Sequence, residues 1–150
     1  MAKEKIGITW QEGLKMESGK IVADWYDGGL RFMIMRGPAS FNAYAGVPVD
    51  HPLAGHEYDL LPVQAHGGLT YSCEGSDEKG HFPAGYWWYG WDYAHAGDKS
   101  FHEERFKGSG LYAKDDKEWT PDMIKEDSWR AFYDFEALLK LAEAIRGKKK

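Results

Sequence analysis

The chain has a single cysteine, Cys73, in 150 residues. It can close no intramolecular disulfide and supply no multi-thiolate zinc site, so disulfide scaffolds and zinc fingers drop out and a reducing compartment is the expected setting. Long apolar runs are missing too: none approaches the ~18 to 20 residues that a membrane span needs. Met1 to Ile8 carries two lysines, but no apolar core segment and no small-residue cleavage site follow. No secretory signal is therefore predicted, and the cytoplasm is the expected location. Positive charge is in deficit, with 19 Lys and Arg against 24 Asp and Glu and a net charge of -5. That balance offers nothing to attract long DNA or RNA. The terminal Lys148, Lys149 and Lys150 are read as solvated residues that complement a helix dipole. No Walker-type phosphate loop, no Gly-x-Gly-x-x-Gly, no Gly-x-Ser-x-Gly elbow and no His-Glu-x-x-His helix occurs, which disfavours the enzyme classes built on them.

Aromatic residues, by contrast, are in excess. Seven Trp, nine Tyr and seven Phe make 15% of the chain, more than a core of this size requires, so some rings are expected to line a surface or pocket. The length suits one domain with one substantial core. Lys20 to Arg36 reads as a β-hairpin around the turn signal Asp27-Gly28-Gly29, and Gly37-Pro38 ends its second strand. Ala39 to Pro62 is rich in Gly, Pro and His and reads as a long loop, a feature that more often serves function than connection. Gly68 to Cys73 and Gly85 to Tyr93 read as strands. In the second, Trp87, Tyr89, Trp91 and Tyr93 share one face, which seals a core. Trp88, Gly90 and Asp92 share the other, where Gly90 leaves room for a neighbour or ligand. Thr120-Pro121 is an N-cap with a first-turn proline. It opens an amphipathic helix reaching Lys149 and carrying Trp129, Phe132, Leu139, Ala142 and Ile145 at helical spacing. The expected fold is α+β: a mainly antiparallel sheet with a long loop and a C-terminal amphipathic helix packed on one face.

Two segments could carry chemistry. Asp92, His95 and Asp98 are spaced three apart among the small residues Ala94, Ala96 and Gly97, which let polar groups converge. Two carboxylates and an imidazole can hold a divalent metal, and an Asp/His pair can equally orient a general base; the bland alternative is turn caps and a packed histidine. In His66-Gly67-Gly68 the glycines permit turn angles closed to other residues and let backbone amides approach an anion, or they form a plain tight turn. His66, His95 and Asp92 are the candidate catalytic groups. Gly67, Gly68, Thr70, Tyr71, His51, Trp88 and Asp98 are the candidate ligand-binding residues. His56, His81 and His102 are weaker candidates, and nothing marks Cys73 as an activated thiol.

Together, His66-Gly67-Gly68-Leu69-Thr70-Tyr71-Ser72 and the run from Trp87 to Asp98, Trp-Trp-Tyr-Gly-Trp-Asp-Tyr-Ala-His-Ala-Gly-Asp, resemble an uncharacterised family of small proteins met in bacteriophage and bacterial genomes. The loop around Gly46, His51-Pro52 and Tyr58 and the C-terminal helix fit the same resemblance, while Tyr89, Trp91 and Tyr93 make this chain the more aromatic. The resemblance implies a phage or bacterial cytoplasmic setting and a single site formed by His66, Asp92, His95 and Asp98. Small phage proteins often act against host defence, which often signals through modified nucleotides, so it also implies a nucleotide-like small molecule as partner.

The expectation is a pocket formed by the 44–58 loop, the His66 turn and Asp92 to Asp98, which binds a phosphorylated nucleotide-like molecule and is equipped to hydrolyse it. Two rivals remain open at this point. One is a ligand-sequestering protein without turnover; the other is an interaction module, or a homo-oligomer, that uses the aromatic face.

Overall fold

The computed structural model describes residues 5–78, 82–102 and 116–148. His81, Lys149, Lys150 and the end of the polar stretch after Ser76 lie outside them. Five antiparallel strands form one sheet in the order β1-β2-β3-β5-β4, and helices cover one face of it. The α+β expectation holds.

β1 (Ile21–Asp27) and β2 (Leu30–Arg36) are the expected hairpin. Gly28 and Gly29 form its two-residue turn with φ of 57° and 86°, left-handed angles that a tight hairpin demands of both central residues. β3 (Phe41–Pro48) is a correction, because it lies inside the stretch read as a loop and is the central strand, paired with both β2 and β5. Its core face is Phe41, Ala43, Ala45 and Val47, all buried. Two alanines carry little apolar signal, and the surrounding Gly and Pro hid the alternation. The remaining loop begins after Pro48 and holds a short 3₁₀ turn at Tyr58–Leu60.

β4 (Tyr71–Glu74) pairs with β5 (Tyr86–Asp92) from Tyr71↔Gly90 to Glu74↔Trp87. The aromatic face of β5 lies in the main core, where Tyr89 packs 5.7 Å from Phe135. That face is therefore not a free docking surface. On the opposite face Trp88, fully buried, joins Met33 and Met35 in a smaller cluster. The room beside Gly90 is filled by Tyr44, whose Cδ1 would lie 2.6 Å from any added Cβ.

The C-terminal helix is two helices. α1 (Trp10–Leu14) precedes the sheet and was not foreseen, although Thr9 and Glu12 form a reciprocal capping box. α2 (Pro121–Asp127) starts at the expected Thr120 cap, and α3 (Trp129–Lys148) follows a break at Ser128, whose Oγ donates to the Ile124 carbonyl at 2.7 Å. Such back-bonding bends a helix. α3 buries Ala131, Phe132, Phe135 and Leu139. Trp129 and Ile145, predicted on that face, are 47% and 49% exposed. A step of three residues falls about 60° short of a full helical turn, and such steps, from Phe132 back to Trp129 and from Leu139 through Ala142 to Ile145, carry both off the core stripe.

Buried Arg36 locks α1 to the hairpin. Its guanidinium donates to the carbonyls of Gly13 (2.9 Å), Leu14 (3.2 Å), Gly37 (2.6 Å) and Pro38 (3.2 Å) and lies over the Phe101 ring. Burial holds its pKa below the usual arginine value.

Candidate functional site

The site lies where β5 ends. After Asp92 the chain turns back through Ala94 to Gly97, whose φ of 91° suits glycine. Asp98 then donates its N–H to the His95 carbonyl at 2.9 Å and forms a bridge with Lys117. The chain between Leu61 and Tyr71 passes over this turn and brings His66 onto it.

Asp98 is the organising group. Its side chain is only 4% exposed, yet both oxygens are satisfied. Oδ2 accepts from His66 Nε2 at 2.7 Å and from the His95 backbone N–H at 2.9 Å, and Oδ1 accepts from Trp119 Nε1 at 2.7 Å. A buried carboxylate needs such a set of donors, and by accepting from all of them it fixes its neighbours. To donate in this bond His66 must carry a proton on Nε2, so in the neutral tautomer Nδ1 is the lone-pair nitrogen.

Aromatic rings hold His66 in place. It stacks on Tyr93 at 4.6 Å with 10° between planes, and Trp119 lies 5.0 Å away. Tyr93 is fixed in turn: its hydroxyl donates to Asp127 at 2.8 Å and accepts from Trp91 Nε1 at 3.1 Å, and burial pushes its phenol well above the ordinary value. The platform is thus a neutral ring on a rigid strand end.

His95 forms the second half. Its ring centroid is 5.6 Å from that of His66, and its Nε2 is 3.2 Å from Asp92 Oδ1. The distance suits an ion pair when the ring is protonated, but the approach misses hydrogen-bond geometry, so this buried nitrogen has no hydrogen bond among the described residues. Each imidazole therefore turns Nε2 toward its own carboxylate, and Nδ1 of neither has a hydrogen-bond partner among the described residues. Asp92 also accepts from the Ala94 N–H (3.1 Å) and, at a long 3.4 Å, from Thr70 Oγ1.

Of the residues expected to form a site, His66, Asp92, His95, Asp98, Gly67 and Thr70 come together. Gly67 is the seat of His95: an added Cβ would sit 2.2 Å from its Nε2. Gly68 does not present its amide to an anion, because that N–H bonds to the Ala65 carbonyl at 2.8 Å. Three other candidates lie elsewhere. His51 follows β3 at the far end of the strands, about 20 Å away, and contacts Glu143 at 3.3 Å. Trp88 is sealed in the smaller cluster, with Nε1 bonded to the Pro83 carbonyl. Tyr71 lies on that same face, 5.7 Å from Phe82, beside a hollow of about 200 Å³ lined by Tyr71, Cys73, Glu74, Ser76 and Phe82.

Asp92, His95 and Asp98 do not make a ligand set for a divalent metal, since the Asp98 oxygens are turned inward on His66 and Trp119. Among the described residues no three His, Cys, Asp or Glu side chains are grouped to hold one. Trp119, which holds Asp98, was not foreseen; it lies 21 residues further along the chain, and no motif links the two. Burial raises the Cys73 thiol pKa, so it is no activated nucleophile. No helix among the described residues is long and apolar enough to cross a membrane. In comparisons with protein-family models, curated proteins and solved structures, nothing matches the chain.

Proposed function

We propose that the protein binds a small phosphorylated, nucleotide-like molecule at the His66–His95 rim, and that the paired imidazoles equip it to hydrolyse a phosphoester there. The observation that carries this reading is the buried Asp98 holding His66 Nε2 at 2.7 Å, with the His95 ring 5.6 Å away and its Nε2 3.2 Å from Asp92. An acid–base unit needs an imidazole whose tautomer and orientation are fixed before substrate arrives. Two imidazoles this close can flank one phosphoryl group. One takes the proton from water as it attacks phosphorus, and the other gives a proton to the leaving oxygen as its bond to phosphorus breaks. The resemblance to small phage proteins supports a cytoplasmic setting and a role against nucleotide signals of host defence.

A second reading has its own support. Asp98 joins three chain segments through His66, His95 and Trp119, which is also what a rigid binding rim without turnover requires. One experiment separates the two. Protein is incubated with a panel of nucleoside mono-, di- and cyclic phosphates and followed by phosphorus NMR, with His66→Gln and His95→Gln beside the wild type. Turnover that disappears in His66→Gln supports hydrolysis. Ligand retained by the folded protein and recovered unchanged after denaturation supports sequestration. Neither binding nor turnover with any member of the panel would sink both.

A further inference from the structure

The outward face of α3 carries a row of apolar residues at every fourth position: Trp129, Tyr133, Ala137, Leu141 and Ile145. All are exposed, the four large ones at 47%, 62%, 56% and 49%, and Ala137 likewise. The core does not use this row, since α3 packs inward through Ala131, Phe132, Phe135 and Leu139. Only the first two rings of the row touch each other, with centroids 5.8 Å apart. A continuous exposed apolar ridge is a feature that isolated surface residues do not explain.

We propose that this ridge is the contact between two copies of the chain, crossing at Ala137. The row has its smallest side chain at its midpoint and larger ones on both sides, so two such rows can approach closely at the methyl group and pack Tyr133 and Leu141 around it. Rows of spacing four cross at about 50° when they pack together. The four large residues offer roughly 500 Å² of surface per copy. Two copies then reach about 1,000 Å², the size at which a specific interface begins.

Charge selects both the occupant and the sense of crossing. Asp134 and Lys140 flank Ala137 on opposite sides of the row, three residues before and three after it. If the helices crossed in opposite senses, each Asp134 would face its own copy. With the two-fold axis along the row, each Asp134 lies beside Lys140 of the second copy and Leu141 faces Leu141. Both groups have capacity for this contact. Among the described residues Asp134 uses only Oδ2, accepting from the Gln64 N–H at 2.7 Å, and Lys140 makes a loose 3.5 Å contact with Glu136. Contacts of this self-complementary kind are what a two-fold homodimer requires.

Sedimentation velocity over a concentration series tests the dimer, with circular dichroism to check folding. The wild type is expected to dimerise in the micromolar range typical of small interfaces. Ala137→Glu puts two like charges at the crossing and is expected to weaken the dimer on the order of 100-fold; its helix signal should not change, because the position is solvent-facing in the single copy. Lys140→Glu sets two carboxylates together on each flank and is expected to weaken it about 10-fold. In a Cys73→Ser background, Leu141→Cys is expected to cross-link to itself under mild oxidation. A wild type that remains monomeric at every concentration, or a dimer indifferent to Ala137→Glu, overturns the proposal. A dimer sensitive to Ala137→Glu in which Leu141→Cys fails to cross-link overturns the same-sense crossing.

Discussion

The two ends of strands β3 and β5 both place a histidine against a carboxylate, and the two pairs are physically unlike. At the Pro48/Tyr86 end, His51 contacts Glu143 at 3.3 Å, and the Glu143 side chain is 62% exposed. At the Asn42/Asp92 end, His66 contacts Asp98 at 2.7 Å, and the Asp98 side chain is 4% exposed. Water competes for the first contact and screens it, so it contributes about 0 to 1 kcal/mol, and the His51 ring is held instead by the Leu53 N–H, which donates to its Nδ1 at 3.2 Å. The second is shielded, and Trp119 and the His95 amide take up the remaining capacity of the carboxylate. A histidine and a carboxylate thus give a loose surface contact at one end and a shielded, fully satisfied one at the other, and burial of the carboxylate separates them.

The largest effect expected from breaking this contrast is that of Asp98→Ala. It leaves three inward-pointing donors without their acceptor, and chemical denaturation should show a loss of about 3–5 kcal/mol together with loss of any activity at the rim. His66→Gln should follow, with activity falling on the order of 100-fold or more and stability by roughly 1–2 kcal/mol. A ligand affinity that survives this change while turnover does not would separate the binding role of the rim from its chemistry. Alkaline pH probes a buried phenol at each end. Tyr93 lies beneath His66, and the Tyr89 hydroxyl donates at 2.6 Å to the Leu53 carbonyl, near His51. Burial raises the pKa of both, that of Tyr89 to about 12. The unfolded chain ionises its tyrosines near pH 10, whereas the fold keeps these two protonated. Their contribution is therefore fully present below about pH 10 and is lost as pH rises toward and past the folded value. Thermal melts should show flat stability through neutrality and a fall above pH 10, with the tyrosinate absorbance of these residues appearing only on unfolding. Smallest of all, Glu143→Ala should shift stability by less than about 0.5 kcal/mol. A larger shift would mean that the His51 end is more rigid than its exposure implies.

The strong local signals in the sequence were those with a steric origin. Asp27-Gly28-Gly29 forces a tight hairpin, Thr120-Pro121 starts a helix, and the rings at alternate positions of β5 put one face into the main core. β3 stayed hidden because Ala43 and Ala45 have too little side chain to register as alternation, although it is their smallness that lets the helices approach the middle of the sheet. The break between α2 and α3 rests on one side-chain bond from Ser128, which periodicity does not register. In the site, His66, Asp92, His95 and Asp98 were legible because two short segments concentrate polar groups among glycines. His51, Trp88 and Tyr71 were misplaced for a common reason: spacing along the chain says nothing about which end or face of a sheet a residue reaches. Trp119 and the stacking of His66 on Tyr93 are tertiary facts, set by the return of distant segments.

That dependence on distant segments bears on the order in which the protein becomes competent as it is made. All five strands are complete by Asp92, so the sheet can begin to pair while the rest of the chain is still being synthesised. Asp98 cannot settle then, because the indole that holds its second oxygen belongs to residue 119, and the part of the core cover supplied by α2 and α3 comes only from Pro121 onward. A growing chain therefore passes through a stage with a paired sheet, one uncovered aromatic face and an unset His66. Such a species is exposed to aggregation, and the rim acquires its fixed proton only when the last third of the chain arrives.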